Sequence, residues 1–517
     1  MPSAKVYTLK QVNQHNKEGD LWLVVNNDVY DLSSFADMHP GGAGVLLAAD
    51  IAGQDCSTAF FSLHRSEVLA KYTRLKIGRL DTTAPAPYPI LPAGELSPVP
   101  HAEPDWLNPK FRSPYYGESH RALQRSMRKF FDDEVKAEAR AGELSGDRPT
   151  ADLVQKMGEP EWDLHAMRMG PGKHLAGKTL PGGVKGEDFD YFHELVVVQE
   201  LVRVGAPGWQ AGCQAGMVIG LPPVLNFGDE AMKKRVLPDI FAGKKFISLA
   251  ISEPQAGSDV QGITTTAKLS EDGKHWIVSG MKKWITNGYF SDYFMTAVRT
   301  GPKSLTMMLI ERDDTVETRK IRTSYSSAAG TAYVFFEGTK VPVENVLGGE
   351  GNGLKVILSN FNHERWVICC RIARYSRLMF EETWKWAHLR KSQGKRLIDQ
   401  PVVRNKLAKM IYKCDMGQTW LENITYQMTH MSYADQSALL AGPMALLKTF
   451  LSRSAGEISD DCVQIWGGRG ITQGGMGALI EQFQRTYKFD SILGGSEEVL
   501  ADLGVRQAMK RMPQAVL

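Results

Sequence analysis

His39-Pro40-Gly41-Gly42 and a second histidine at His64 are the residues of this chain most suited to chemistry. Two neutral imidazoles on opposite sides of a flat iron complex would fill both axial positions. That leaves no site for oxygen and makes the iron an outer-sphere electron carrier. Pro40 fixes the backbone after His39, and Gly41-Gly42 lets the chain turn tightly without side chains against the ring. Short apolar runs and helical stretches must hold the pair, and Phe35, Phe60, Phe61 and Leu63 flank it.

The rest of the chain is much larger than such a unit. Its 517 residues imply several domains at about 100–200 residues each. With 43% hydrophobic and 23% charged residues the chain can bury several cores. The net charge of +3 argues against nucleic acid or an anionic membrane face as partner. Cys56, Cys213, Cys369, Cys370, Cys414 and Cys462 form no CxxC pair and no CxxCH, so a haem would be held without thioether bonds. Scattered single thiols suit a reducing compartment.

No run approaches the ~18 apolar residues of a membrane helix, so no membrane span is expected. The pattern begins at Tyr7, which leaves no room for a signal or transit peptide. Ala515-Val516-Leu517 lacks the basic residue of an SKL-type address. A cytoplasmic location, or an unconventional peroxisomal one, is expected.

Residues 81–104 hold seven prolines in 24 residues. Such a stretch reads as an extended spacer of at most ~70 Å at ~3 Å per residue. Helical patterns follow to about Phe246, as in 118–140, 188–204 and 229–242. From 247 to about 345 the chain reads as strands, at 247–251, 264–269, 275–278, 293–298, 305–310 and 332–336. Helical periodicity returns from Asn352, as in 361–391 and 400–430. Helices, then antiparallel strands, then helices define an α+β assembly with segregated layers.

Two family resemblances stand on these residues. Tyr7-Thr8, Trp22-Leu23-Val24-Val25, Val29-Tyr30-Asp31-Leu32, Phe35, the HPGG, His64 and Lys76-Ile77-Gly78 resemble the cytochrome b5 domain. That implies residues 1–80 bind haem b through His39 and His64, with residues 81–110 as a proline-rich linker. Ala250-Ile-Ser-Glu-Pro-Gln-Ala-Gly-Ser-Asp259-Val-Gln-Gly262, Lys283-Trp284-Ile285-Thr286-Asn287-Gly288, Val341–Gly348 and Gln464–Ile471 resemble the acyl-CoA dehydrogenases. This implies an N-terminal helical domain (111–246), a middle antiparallel β-barrel domain (247–349) and a C-terminal four-helix bundle (350–517).

The same resemblance implies FAD and its contacts. Trp284 lies against the flavin ring, Thr286 near N5, Ser252 at the pyrimidine end and Ser258 at the diphosphate. Gly257, Gly262, Gly467 and Gly468 allow close backbone approach to phosphate. Arg390, Gln393, Gln464, Gly467 and Gly468 reach the FAD of a neighbouring subunit, so a homodimer or homotetramer is implied. Gly494 and Ser496 complete the turn beside the flavin.

At that turn the sequence departs from the common family pattern. Many members carry their catalytic glutamate where Gly494 stands, in Ile492-Leu493-Gly494-Gly495-Ser496-Glu497-Glu498. A minority, including isovaleryl- and long-chain-type enzymes, place it on a helix just before an arginine. Here Phe361-Asn362-His363-Glu364-Arg365 occupies that position. Glu364 is therefore the expected base and Arg365 a substrate contact, with Glu497 and His363 as fallbacks. A second departure is Thr472–Glu481, about three residues longer than usual, with Gly474 where an acidic or amide residue is normal.

The function implied is dehydrogenation of an acyl-CoA to the 2-enoyl-CoA, as in fatty-acid β-oxidation, with electrons passed from FAD to the fused haem. An external electron acceptor beyond the haem is left open. An oxidase or monooxygenase of the same fold stands as the alternative, as does a flavin-fold binding protein without catalysis.

Overall fold

The computed structural model describes residues 5–513. The Ala515–Leu517 tail and the first four residues of the expected haem domain lie outside the described residues.

The N-terminal unit is a five-stranded sheet carrying short helices. Its strands are β1 (Val6–Tyr7), β2 (Asn16–Lys17), β3 (Asp20–Val25), β4 (Asp28–Asp31) and β5 (Lys76–Leu80), in the order β1-β5-β4-β3-β2. The period-two pattern of β3 and β4 buries Leu21, Leu23 and Tyr30 on one side, with Phe35 and Cys56, and Val24 and Val29 on the other, with Val12. Three helices lie on the first face: α1 (Ala43–Leu46), α2 (Ser57–Leu63) and α3 (Glu67–Lys71). His39 follows a single 3-10 turn and His64 caps the end of α2.

Residues 81–110 are not the free spacer that their proline content suggests. Asn26 Nδ2 donates to the Tyr88 carbonyl and the Tyr88 N–H donates back to Asn26 Oδ1. Further along, Arg128 donates to both oxygens of Glu103 at 2.7 and 3.0 Å, and Arg374 approaches the same carboxylate at 3.1 Å. Arg374 and Arg377 donate to the carbonyls of Ala102 and His101. Proline rules out a regular ladder but leaves carbonyls and the few charged side chains free to bond elsewhere, and that makes this segment a strap.

Beyond the strap lie α4 (Glu118–Phe130), α5 (Lys136–Ser145), α6 (Tyr191–Arg203), α7 (Pro207–Ile219) and α8 (Glu230–Phe241). A five-residue π-helical stretch joins α4 to α5, where one long helix was expected. Asp190 starts α6 with a capping box, its carboxylate accepting from the His193 N–H. Almost every residue of α6 and α7 is buried, so these two run through the core.

The strand region forms an eight-stranded sheet. Its members are β6 (Ile247–Ala250), β7 (Thr266–Leu269), β8 (His275–Ile285), β9 (Tyr293–Gly301), β10 (Ser304–Glu311), β11 (Val316–Lys320), β12 (Ala332–Pro342) and β13 (Val346–Leu347). The order is β11-β12-β8-β7-β9-β10-β13, with β6 pairing parallel to β9. The sheet is thus mixed rather than wholly antiparallel. Strand β11 had no sequence signal, because Val-Glu-Thr-Arg-Lys buries only Val316.

Five long helices follow among the described residues: α9 (Gly353–Leu389), α10 (Pro401–His430), α11 (Ala441–Trp466), α12 (Ala478–Ile492) and α13 (Glu497–Met509). Together with α4–α7 they enclose the largest core, which includes Trp209, Trp366, Phe380 and Phe483. The central helix α9 packs on α10, α11 and α6, so residues along it see several walls at once.

Candidate functional site

Three groups of predicted residues come together separately. The first is the histidine pair. The His39 and His64 ring centroids lie 5.9 Å apart with planes inclined by 15°. Two metal–nitrogen bonds of about 2 Å each, plus two imidazole half-widths, require roughly this spacing. His39 Nδ1 sits 3.4 Å from the Gly42 carbonyl, which orients the ring and leaves Nε2 for a metal. A Cβ on Gly41 would stand 2.9 Å from His39 Cε1, so the motif's first glycine is needed for close approach. Burial and the neighbouring His39 push the His64 imidazole below its ordinary pKa. The geometry fits a bis-imidazole haem.

The second group gathers at Gly494. A Cβ placed on Gly494 would lie 3.6 Å from Glu364 Oε1. The two alternative positions for a base, far apart in sequence, therefore converge on one point. Arg365 Nε donates to the Gly494 carbonyl at 3.0 Å and fixes the turn. Lys448 donates to the next carbonyl, that of Gly495, at 2.7 Å. Glu364 is 5% exposed, and burial raises its carboxyl pKa against the pull of Arg365, Lys448 and His363. Burial likewise brings Lys448 down to about 8. Of the fallbacks, His363 is engaged by Glu194 at 2.9 Å and Glu497 by Arg453 at 2.7 Å. Glu364 and Ile368 line a mostly apolar cavity with residues of α6 and α7.

On the sheet, Trp284 is 47% exposed at φ +62°. The pairing of β8 with β12 slips between Lys282 and Ile285, and this bulge turns the indole out of the sheet. A large side chain held exposed in the left-handed region is strained, and such strain gathers at ligand sites. The Lys283 N–H donates to the Ser252 carbonyl, which places Ser252 beside Trp284, and Thr286 is buried just beyond. Ser258 is exposed on the loop before β7.

Glu253 holds that loop and was not singled out by sequence. It pairs with the fully buried Lys282 at 2.8 Å and accepts from Thr264 and Thr265. Burial alone would raise its carboxyl pKa, yet Lys282 and these bonds hold it down to about 2. The only available signal was its place inside the Ser-Glu-Pro run.

The third group lies at one end of the helical bundle. Arg390, Gln393, Gln464, Gly467 and Gly468 are all exposed. Stacking of Trp386 on Trp466, centroids 4.5 Å apart, brings the ends of α9 and α11 together. Gly467 has φ +61°, and a Cβ at Gly467 or Gly468 would meet no atom within 4 Å, an open cradle for a phosphate. Among the described residues no hydrogen bond joins this group to Trp284 or Glu364. Ser496 is half-buried at the start of α13. The exposed indole wall and the open glycine turn both suit FAD.

The sequence families agree with this geometry. The model described as "Acyl-CoA dehydrogenase, C-terminal domain" matches residues 351–509, the corresponding middle domain 248–339 and the N-terminal domain 117–244. The "Cytochrome b5-like Heme/Steroid binding domain" matches residues 8–81. The chain belongs to the acyl-CoA dehydrogenase family and carries a cytochrome b5-like domain at its N-terminal end. It is 37% identical over 430 residues to acyl-CoA dehydrogenase apdG of Emericella nidulans, covering 80% of this chain and 96% of that one. The long-chain specific acyl-CoA dehydrogenase of Sus scrofa is 27% identical over 407 residues, covering 76% and 87%. Among solved structures, the acyl-CoA dehydrogenase from Geobacillus kaustophilus matches with a TM-score of 0.67 and 25% identity, over 77% of this chain and all of that one. The chain is an oxidoreductase of this family, and FAD and haem are its cofactors.

Proposed function

We propose that the protein dehydrogenates an acyl-CoA to the 2-enoyl-CoA and passes the electrons from its FAD to its own haem. The observation that carries the first half is the convergence of Glu364 on the empty Gly494 position. When bound, FAD would supply hydride-accepting chemistry, and a haem held by His39 and His64 would supply single-electron transfer. Glu364 accepts the α-proton on its carboxylate, in an apolar pocket that keeps its pKa up and water out. The Gly494 N–H supplies a donor to the thioester oxygen, and Arg365 steadies that turn through the Gly494 carbonyl. Loss of the α-proton and the β-hydride leaves the carbon–carbon double bond.

The second half is supported by contact between the haem-binding unit and the helical body. Arg65, next to His64, donates to Glu382 on α9 at 2.7 Å and to the Met476 carbonyl at 3.2 Å. Arg140 on α5 donates to Glu67 at 2.6 Å. The exposed group at Arg390 and Gly467 supports an FAD site completed by a second subunit, hence a dimer or tetramer.

Anaerobic stopped-flow mixing of holoprotein with an acyl-CoA tests the whole reading. Flavin bleaching should precede haem reduction, at a rate independent of protein concentration. Haem that stays oxidised, or reduces only in proportion to protein concentration, rejects transfer within the molecule.

A further inference from the structure

The cavity behind Glu364 is not the plain hydrocarbon slot that a simple fatty acyl tail would fill. It runs along α9 from Glu364 through Ile368 to Arg371, two helical turns or about 10 Å. Apolar residues of α6, α7 and α9 make most of its wall, yet Arg168, Gln210, Gln214 and Arg371 line it too.

Gln210 bonds the Leu201 carbonyl and Arg371 the Tyr325 hydroxyl, whereas Arg168 and Gln214 are buried and incompletely bonded. Arg168 is 3% exposed, and its Nε and Nη1 have no hydrogen-bond partner. The nearest carboxylate, Glu194, lies 3.9 Å from Nη1 and is taken up by His363 Nε2 at 2.9 Å. Gln214 is 2% exposed. Its amide nitrogen faces His165 Nδ1 at 3.1 Å, and its Oε1 has no donor. Buried polar groups are paired in the great majority of native cores, so two orphans lining one cavity call for an occupant.

The missing partners define its chemistry. Arg168 lacks an acceptor and Gln214 lacks a donor, and a hydroxyl supplies both. A carboxylate would satisfy only the guanidinium. It would also add charge where each cation already faces an acid: Glu194 beside Arg168, and Asp490 3.4 Å from Arg371. We propose that the natural substrate is an oxygenated acyl thioester, with a hydroxyl on the distal part of its chain held between Arg168 and Gln214. This rests on the dehydrogenase reading and deepens it.

The test compares decanoyl-CoA, its monohydroxy isomers substituted on the distal half of the chain, and its terminal carboxylic acid counterpart. Dissociation constants are measured by calorimetry on Glu364→Gln holoprotein, and flavin bleaching is followed in the wild type. At least one hydroxy isomer should bind about tenfold or more tighter than decanoyl-CoA, since a site built around a hydroxyl rejects chains lacking it. Gln214→Leu, a change of similar volume, should collapse that ratio, and Arg168→Met should do the same if it folds. Equal or tighter binding of decanoyl-CoA than of every hydroxy isomer overturns the proposal, and so does preference for the carboxylic acid. Bleaching by decanoyl-CoA without any hydroxyl preference fails this inference alone. Hydroxyl-dependent binding without bleaching by any thioester fails the dehydrogenase reading alone.

Discussion

Glu364 is the residue on which the proposed chemistry turns. Glu364→Gln should slow flavin bleaching by about 10³-fold, within the range such bases contribute, with substrate binding retained in calorimetry. The wild-type bleaching rate should rise with pH through a step above the ordinary carboxylate range. Burial raises this carboxyl's pKa, and only its deprotonated form takes a proton. The step should vanish in Glu364→Gln. His39→Ala or His64→Ala should abolish a six-coordinate low-spin haem spectrum and leave the flavin spectrum intact; an unchanged haem spectrum in either would sink the ligand assignment. These residues were legible in sequence because each sits in a short run of fixed spacing. Arg168, Gln214 and Glu253 were not, since their roles depend on partners brought in from other elements.

At the scale of elements, strand and helix periods gave the layer order, and the helices capped by Asp190 and Asp229 begin within a few residues of their expected starts. The strap was misjudged, because proline content reports what a segment cannot form and not what it can bind. Glu103 is its anchor, half-buried between the buried Arg128 and Arg374. Removing one partner of a buried pair leaves an uncompensated charge, so Glu103→Ala should cost about 3–5 kcal/mol, read as a lower denaturant midpoint. The pH dependence has a definite sign. Burial would raise the Glu103 carboxyl pKa, but Arg374 and Arg128 hold it down to about 2. Its stabilisation is therefore complete above the ordinary carboxylate range and is lost as pH falls toward 2. A similar sensitivity in Glu103→Ala would reject that account.

At the scale of the whole molecule, the segment 472–481, expected from sequence to be longer than usual, meets the haem-binding unit. Its Met476 carbonyl accepts from Arg65, so this segment forms part of the contact between the N-terminal unit and the helical body. Glu382 is held down to about 2, burial opposing and Arg65, Lys385 and Arg140 prevailing. Arg65→Ala should leave flavin bleaching unchanged and slow the haem phase several-fold. In the wild type the haem phase should slow with added salt as the contact is screened. A haem phase indifferent to both would place the transfer route elsewhere.

Arg65 follows His64 directly in the chain, so one peptide bond separates the docking cation from a proposed haem ligand. Docking and electron uptake then form a closed thermodynamic cycle. If the body binds one oxidation state of the haem unit more tightly than the other, it must shift the haem midpoint potential by the equivalent free energy. The same chain, compared with its Arg65→Ala form in a redox titration, therefore reports docking as a voltage. A body that prefers the oxidised unit would release it upon reduction, and the arrival of an electron would itself free the carrier to deliver it.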